Sequence, residues 1–452
     1  MKTSGVKLRC GGCAGLLWST HLFRAFSSLR RRCNGKYNKR ICVERGVKQV
    51  AASFRKRRND RKSLLIQDKV RRGKNLLIQD KARRERAFRQ GFDHGYWFGQ
   101  CESVLKRTER VIGVRPIHVL FVATGKGFPY SPLDEAIANT LRSMVGQLSV
   151  TNSTEPVSDI AKQLRPDLVI VLDGLQFNVY HADEMRRAGI RTAIWFTDDP
   201  YYTDITGPLS LHFDEVFTLE LNCVEMYRNL GCPRVYYLPL GAYPAEFRPR
   251  NPKLTQRHEI CFVGSAYVNR LAFFDQITRY LATKDTLISG IWWERLKDFK
   301  LMSKHIELGR WMGPGETADT YNGAKIVINM HRAHDDETFN NNSAAVTAVS
   351  PNPRTFEISA CAALQLTDIR SDLGSFYTPG VDIVTYSSPQ EMVDKIEYYL
   401  HHEDERREIA MRGMYRTMTE HTYVHRLDMM LGILFPDPPP ANEGFVGDLT
   451  TL

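Results

Sequence analysis

Twice along this chain, short continuous apolar runs alternate with helix-length stretches, and a proline-rich segment separates the two series. The first series holds the runs 117–123 (IHVLFVA), 167–172 (DLVIVL), 191–196, 215–219 and 234–238. Unbroken apolar runs, unlike alternating ones, belong to strands covered on both faces, as in parallel sheets. Helices are expected between them at 132–145, 157–163, 178–188 and 222–229. Gly189 and Gly231 stand where two of these would be capped. Four prolines then crowd residues 239–257, the composition of a linker. The alternation restarts with strands expected at 259–263, 286–291, 325–330, 363–367 and 382–386. Helices are expected at 270–283, 317–322, 353–360, 389–401, 404–420 and 424–434. Two doubly wound α/β domains facing a cleft follow from this order. The expected division is 111–245 for the first domain, 246–257 for the linker and 258–436 for the second domain with a closing helix. Residues 1–110 form an N-terminal extension, and 437–452 a loose tail.

Charge separates the extension from the rest. Residues 1–110 hold 30 Lys and Arg against 8 Asp and Glu, whereas the remainder holds 32 against 43. The net charge of +11 is therefore a property of the extension, and a mildly acidic body argues against a nucleic-acid-binding core. Residues 1–60 are expected to be mostly disordered. A near-exact duplication follows over 62–85: KSLLIQDKVRRG, then KNLLIQDKARRE. The composition favours helix, but a 12-residue shift turns the apolar cluster by about 120° around a helix axis. The two copies therefore make no single stripe. They read as a solvated helix, or as a basic arm for a polyanionic surface. No apolar run is long enough to span a membrane, and no secretory signal is expected. Cys223, Cys261 and Cys361 sit in or beside apolar runs, as buried thiols in a reducing compartment do. The spacing of Cys10, Cys13, Cys33 and Cys42 does not make a familiar zinc site.

In sheets of this kind ligands bind at the carboxyl ends of strands, so residues just after strands carry the chemical expectations. Gly264 and Ser265 follow the strand at 259–263 and precede a helix, a ready anion site made of amide N–H groups and a positive helix end. Arg270 adds a guanidinium suited to a diphosphate. Asn352 fits a helix cap, Pro353 the first helical position, and Glu357 then lies near the helix start, where a carboxylate can accept both ribose hydroxyls. Arg354 beside it is a phosphate ligand candidate. Asn329, His331 and Arg332 close another strand and face the same cleft or a polar surface loop. In the first domain Asp198 and Asp199 end a buried strand, as a general base or as an ordinary turn. Thr124-Gly125-Lys126-Gly127 and Asp173-Gly174 are weaker, isolated signals.

Taken in order, FVGSAYVNR, KIVINMHR and NPRTFEISACAALQLTD resemble the C-terminal domain of spore-maturation CgeB-like glycosyltransferases, and WFTDDP and the PLG near 238–241 resemble that family's N-terminal half. The resemblance covers roughly 117–434. It implies a GT-B fold of two Rossmann-like domains and transfer of a sugar from a nucleotide-sugar donor held by the C-terminal domain, with the acceptor against the N-terminal one. It also implies that Glu357 holds the ribose, that Arg270 meets the diphosphate, and that no metal or other cofactor is required. Gly264, Ser265, Asn329, Asn352 and Arg354 complete the expected donor site. Asp198, Asp199 and His331 are the catalytic candidates. One departure stands out: related retaining enzymes carry two glutamates eight residues apart, and eight before Glu357 stands Val349. A cytoplasmic enzyme associated with the spore or envelope is expected. The alternative is a non-catalytic protein of the spore surface that keeps the shell of the fold.

Overall fold

The computed structural model describes residues 39–110 and 112–436. The expectations for the first 38 residues and for the tail beyond 436 lie outside the described residues. Two compact units divide between Asp93 and His94.

The first unit is the leading part of one helix, α1 (Lys39–Thr108). Helix replaces the disorder expected up to residue 60, starting at Lys39. Arg and Lys dominate there, both good helix formers with little rotamer freedom to lose. Each copy of the repeat carries the same i,i+4 ion pair, Asp68–Arg72 at 2.9 Å and Asp80–Arg84 at 2.7 Å, contributing a few tenths of a kcal/mol each. Leu64, Leu65 and Ile66 and their counterparts Leu76, Leu77 and Ile78 are all exposed.

In the second unit the pattern of α1 changes. Trp97, Cys101, Val104 and Leu105 recur at i, i+4, i+7 and i+8 and pack into a hydrophobic cluster. The first sheet comprises β1 (Arg115–Ala123), β2 (Val145–Asn152), β3 (Leu168–Leu172), β4 (Thr192–Phe196), β5 (Glu215–Thr218) and β6 (Val235–Tyr237). Its helices are α2 (Ser131–Arg142), α3 (Val157–Leu164), α4 (Val179–Arg187), α5 (Thr203–Ser210) and α6 (Leu221–Leu230). The second series runs β7 (His258–Val263), α7 (Val268–Leu281), β8 (Thr286–Gly290), α8 (Phe299–Met302), β9 (Ile306–Leu308), α9 (Pro314–Gly323) and β10 (Ala324–Asn329). It ends with α10 (Pro353–Ala360), β11 (Leu364–Asp368), β12 (Val384–Tyr386), α11 (Pro389–His401), α12 (Glu403–Glu420) and α13 (Tyr423–Leu434).

Every pairing in both sheets is parallel. The strand orders are β2-β1-β3-β4-β5-β6 and β12-β11-β10-β7-β8-β9. Chain direction across the sheet reverses between β1 and β3 in the first and between β7 and β10 in the second, and crevices open at these points. Every residue of β3, β4 and β5 is buried, which is why these strands read as continuous apolar runs. The two unforeseen strands, β2 and β9, are outermost and half-exposed, so no apolar run announces them. Helix α5 was also unforeseen, because Gly207 and Pro208 inside it look like a break in sequence. The closing helix α13 was expected with the second domain. It instead buries Tyr423, Leu427, Met430, Leu431 and Leu434 in the core of the first sheet. Among the described residues no helix is long and apolar enough to cross a membrane.

Candidate functional site

The turn expected after β7 forms in the order strand, glycine, helix. Gly264 leaves β7 at φ +157° and lies against Gly290, at φ +151° at the end of β8. A Cβ on Gly290 would stand 2.2 Å from the Gly264 carbonyl oxygen, so that crossing admits only glycine. Ser265 is buried beside it. The first amides of α7 have no carbonyl one turn earlier to bond and are available to a ligand.

A cavity of about 230 Å³ opens here, between the two sheets. Gly264, Ser265, Arg354 and Glu357 all line it, four of the residues expected at a donor site. Asn352 caps α10 by accepting from the Thr355 N–H at 3.1 Å, with Pro353 in the first turn. This places Glu357 one turn in, half-buried in the cavity wall. Burial pushes its carboxyl up to about 7, against the opposing pull of the Arg354 guanidinium. Tyr321 and Tyr423 share that wall.

Other expected residues have different tasks. Arg270 is buried and donates to the Met330 carbonyl at 2.6 and 3.0 Å and to the Ser265 carbonyl at 2.8 Å. It ties the ends of β7 and β10 together, satisfying carbonyls that have run out of ladder partners, and does not line the cavity. Desolvation, followed by the charge of Arg354, lowers its pKa to about 10. His331 is enclosed as well: Nδ1 lies 2.6 Å from Asp368, and Nε2 accepts from the Asn352 N–H at 2.9 Å. With both nitrogens engaged and burial disfavouring the charged ring, it supports the α10 turn and offers nothing to an anomeric centre. Asn329 joins the same support, 3.1 Å from Asn352 and 2.8 Å from Gln365. Asp199 is buried under hydroxyl donors from Thr206, Thr218 and Tyr227 at 2.6–3.2 Å, so no acceptor can reach it as a base. For Asn329, His331 and Asp199 the sequence showed the right strand end, and for Arg270 the right helix start, without showing which way the side chain turns.

Asp198 differs from its neighbour. It keeps 23% of its side-chain surface and accepts from Lys126 at 3.3 Å and Tyr130 at 3.2 Å. Lys126 also reaches Asp173 at 2.6 Å. Burial, then the Asp198 charge, raises the Asp173 carboxyl to about 6. The fold thus joins three isolated sequence signals, the turns after β1, β3 and β4, into one cluster at the first sheet's switch point. The polar stretch 333–343, for which a surface loop was one of the two readings, and the residues after it bind the first half. The Asn341 N–H donates to the Tyr201 carbonyl at 2.8 Å, and Ser343 donates to Asp204 at 2.6 Å. Glu220, at the end of β5, accepts from the Val349 and Ser350 N–H groups at 3.1 Å. It therefore anchors the backbone where the first glutamate of the retaining pattern is missing. Sequence reasoning passed over Arg310 and Trp311, which also line the cavity. They follow a three-residue strand, and their only signal is the flanking Gly309 and Gly313.

Residues 270–432 match a family described as glycosyl transferase-like. The spore protein CgeB of Bacillus subtilis is 27% identical over 307 residues, covering 68% of this chain and 95% of that protein. Among solved structures, Anabaena Alr3699/HepE in complex with UDP and glucose superposes with a TM-score of 0.50 at 10% identity, over 70% of this chain and 99% of that one. The sucrose-phosphate synthase of Thermosynechococcus elongatus gives 0.50 at 10% identity, over 71% and 99%. At that identity these likenesses establish the shared GT-B fold.

Proposed function

We propose that this chain, similar to CgeB and over its C-terminal part to glycosyl transferase-like proteins, is an enzyme that transfers a sugar from a nucleoside-diphosphate-sugar to an acceptor hydroxyl. The observation that carries it is the single cavity shared by Gly264, Ser265, Arg354 and Glu357. The diphosphate fits the glycine turn and the positive end of α7, and the ribose diol donates to the Glu357 carboxylate. The acceptor oxygen attacks the anomeric carbon, the bond from that carbon to the diphosphate oxygen breaks, and Asp198 takes the acceptor proton. Arg354 and the amides offset the charge of the departing diphosphate, so no metal is needed for that task. A solved structure of similar fold, named for its complex with UDP-glucose, supports a UDP-sugar as the first donor to try. The likeness to CgeB supports a place in spore or envelope maturation, and the many basic residues of α1 support contact with a polyanionic surface there.

The test is release of nucleoside diphosphate from a panel of UDP-, GDP- and TDP-sugars. Activity that survives combined Glu357→Ala and Arg354→Ala would reject the site. A second reading rests on Val349 and its Glu220 anchor: a shell that binds nucleotide without turning it over. Tight nucleotide binding with no release from any donor would favour that reading.

A further inference from the structure

The second sheet has a cavity at each end. The one proposed for the donor lies at the carboxyl ends of its strands. A second, of about 360 Å³, opens at the amino ends, where His258 begins β7, Lys325 lies at the start of β10 and Leu364 begins β11. Its volume falls within the range of small-molecule sites, about 300–1,000 Å³. Only Tyr321, near the end of α9, lines both cavities. The glycine turn, Arg354 and Glu357 belong to the first alone, so the proposed transfer leaves the second without a task.

Charge on the wall of this second cavity is unevenly matched. Each of its three carboxylates has a cation from the same wall. Glu259 lies 3.7 Å from Lys325, Asp285 3.0 Å from His258, and Glu403 2.6 Å from Arg407. Two guanidinium groups are left without a close carboxylate. Arg257, at the exposed rim, donates to Asn251 at 3.0 Å and meets no carboxylate among the described residues. Arg406 is only 6% exposed. Its side chain makes one hydrogen bond, from Nη1 to the Tyr399 carbonyl at 2.8 Å, and comes no nearer to Glu403 than 3.8 Å. A guanidinium carries five N–H donors. Burying one with so few acceptors is unfavourable unless something else accepts, and desolvation already lowers its pKa.

We propose that this cavity binds a small organic oxyanion, a phosphate ester or a carboxylate, whose oxygens accept from Arg406 and Arg257. The planar guanidinium fork matches both kinds of group. Ala362, Ala363, Leu364 and Ala410 complete the wall with apolar surface suited to a carbon skeleton.

The experiment is calorimetric titration of the full chain with glycerol 3-phosphate, citrate and inorganic phosphate, with thermal melting to confirm folding. One equivalent of glycerol 3-phosphate or citrate should bind, more tightly than inorganic phosphate, and equally well in Arg354→Ala. Arg406→Gln should weaken that binding by roughly 10- to 100-fold. Arg257→Gln, at an exposed position that does not threaten folding, should weaken it by about tenfold and decides the matter alone if the Arg406 variant does not fold. Unchanged affinity in the arginine variants would overturn the site, as would no binding of any of the three anions. Loss of binding in Arg354→Ala would also overturn it, because the anion would then sit in the other cavity. Inorganic phosphate held as tightly as the organic anions would overturn the carbon-bearing ligand.

Discussion

Glu357 carries the most informative single titration. Its free carboxyl is held at about 7 by burial, while a ribose diol needs the ionised form as acceptor. Below pH 7 the empty site is protonated, and binding must expel that proton, so the Kd for UDP should rise towards tenfold per pH unit from 7 to 5. Glu357→Gln should bind weakly with no such slope, and a wild-type Kd flat across this range would count against the ribose assignment. The adjacent aspartates should separate cleanly. Asp198→Asn should fold normally and lose about 10²–10⁴-fold in turnover. Asp199→Ala empties a buried site lined by three hydroxyls and should show mainly as lost stability in urea. Two neighbouring carboxylates look alike in sequence, because a turn's direction is set by contacts from β5, α5 and α6 that lie far along the chain.

At the scale of elements, α1 has two parts with different chemistry. Over 48–93 nearly every described side chain is exposed, and basic residues occur on all sides. Apolar residues are scattered likewise, so no face favours one-sided insertion into a bilayer. Replacing Arg57, Arg58, Arg61 and Lys62 with Glu should lower the salt concentration at which the protein leaves a heparin column. An unchanged elution would remove the polyanion contact. The strap at 333–352 has its own test. Glu220→Ala would leave the N–H groups of Val349 and Ser350 without this acceptor and should cost about 1–3 kcal/mol in chemical denaturation.

Nucleotide binding should show in the stability of the second unit as a whole. Saturating UDP should raise the melting temperature in proportion to the logarithm of its concentration, and activity should persist in excess chelator. Loss of activity that returns with Mg²⁺ would overturn the metal-independent assignment. Both parallel sheets were legible in sequence because an interior strand, apolar on both sides, leaves an unbroken run that needs no partner to be recognised. So was the Asn352-Pro353 start of α10, since caps depend on adjacent residues. The half-exposed strands β2 and β9 and the partner of α13 were not legible, because an outer strand or a surface helix takes its meaning from what lies beside it. By itself the sequence determined the two α/β series and the local turns proposed to meet a phosphate and a ribose. Only the tertiary structure decided which residues face that opening, because the direction of a buried polar side chain is settled by whichever distant donor or acceptor satisfies it: it closed His331, Arg270 and Asp199 into the framework and brought Lys126, Asp173 and Asp198 together.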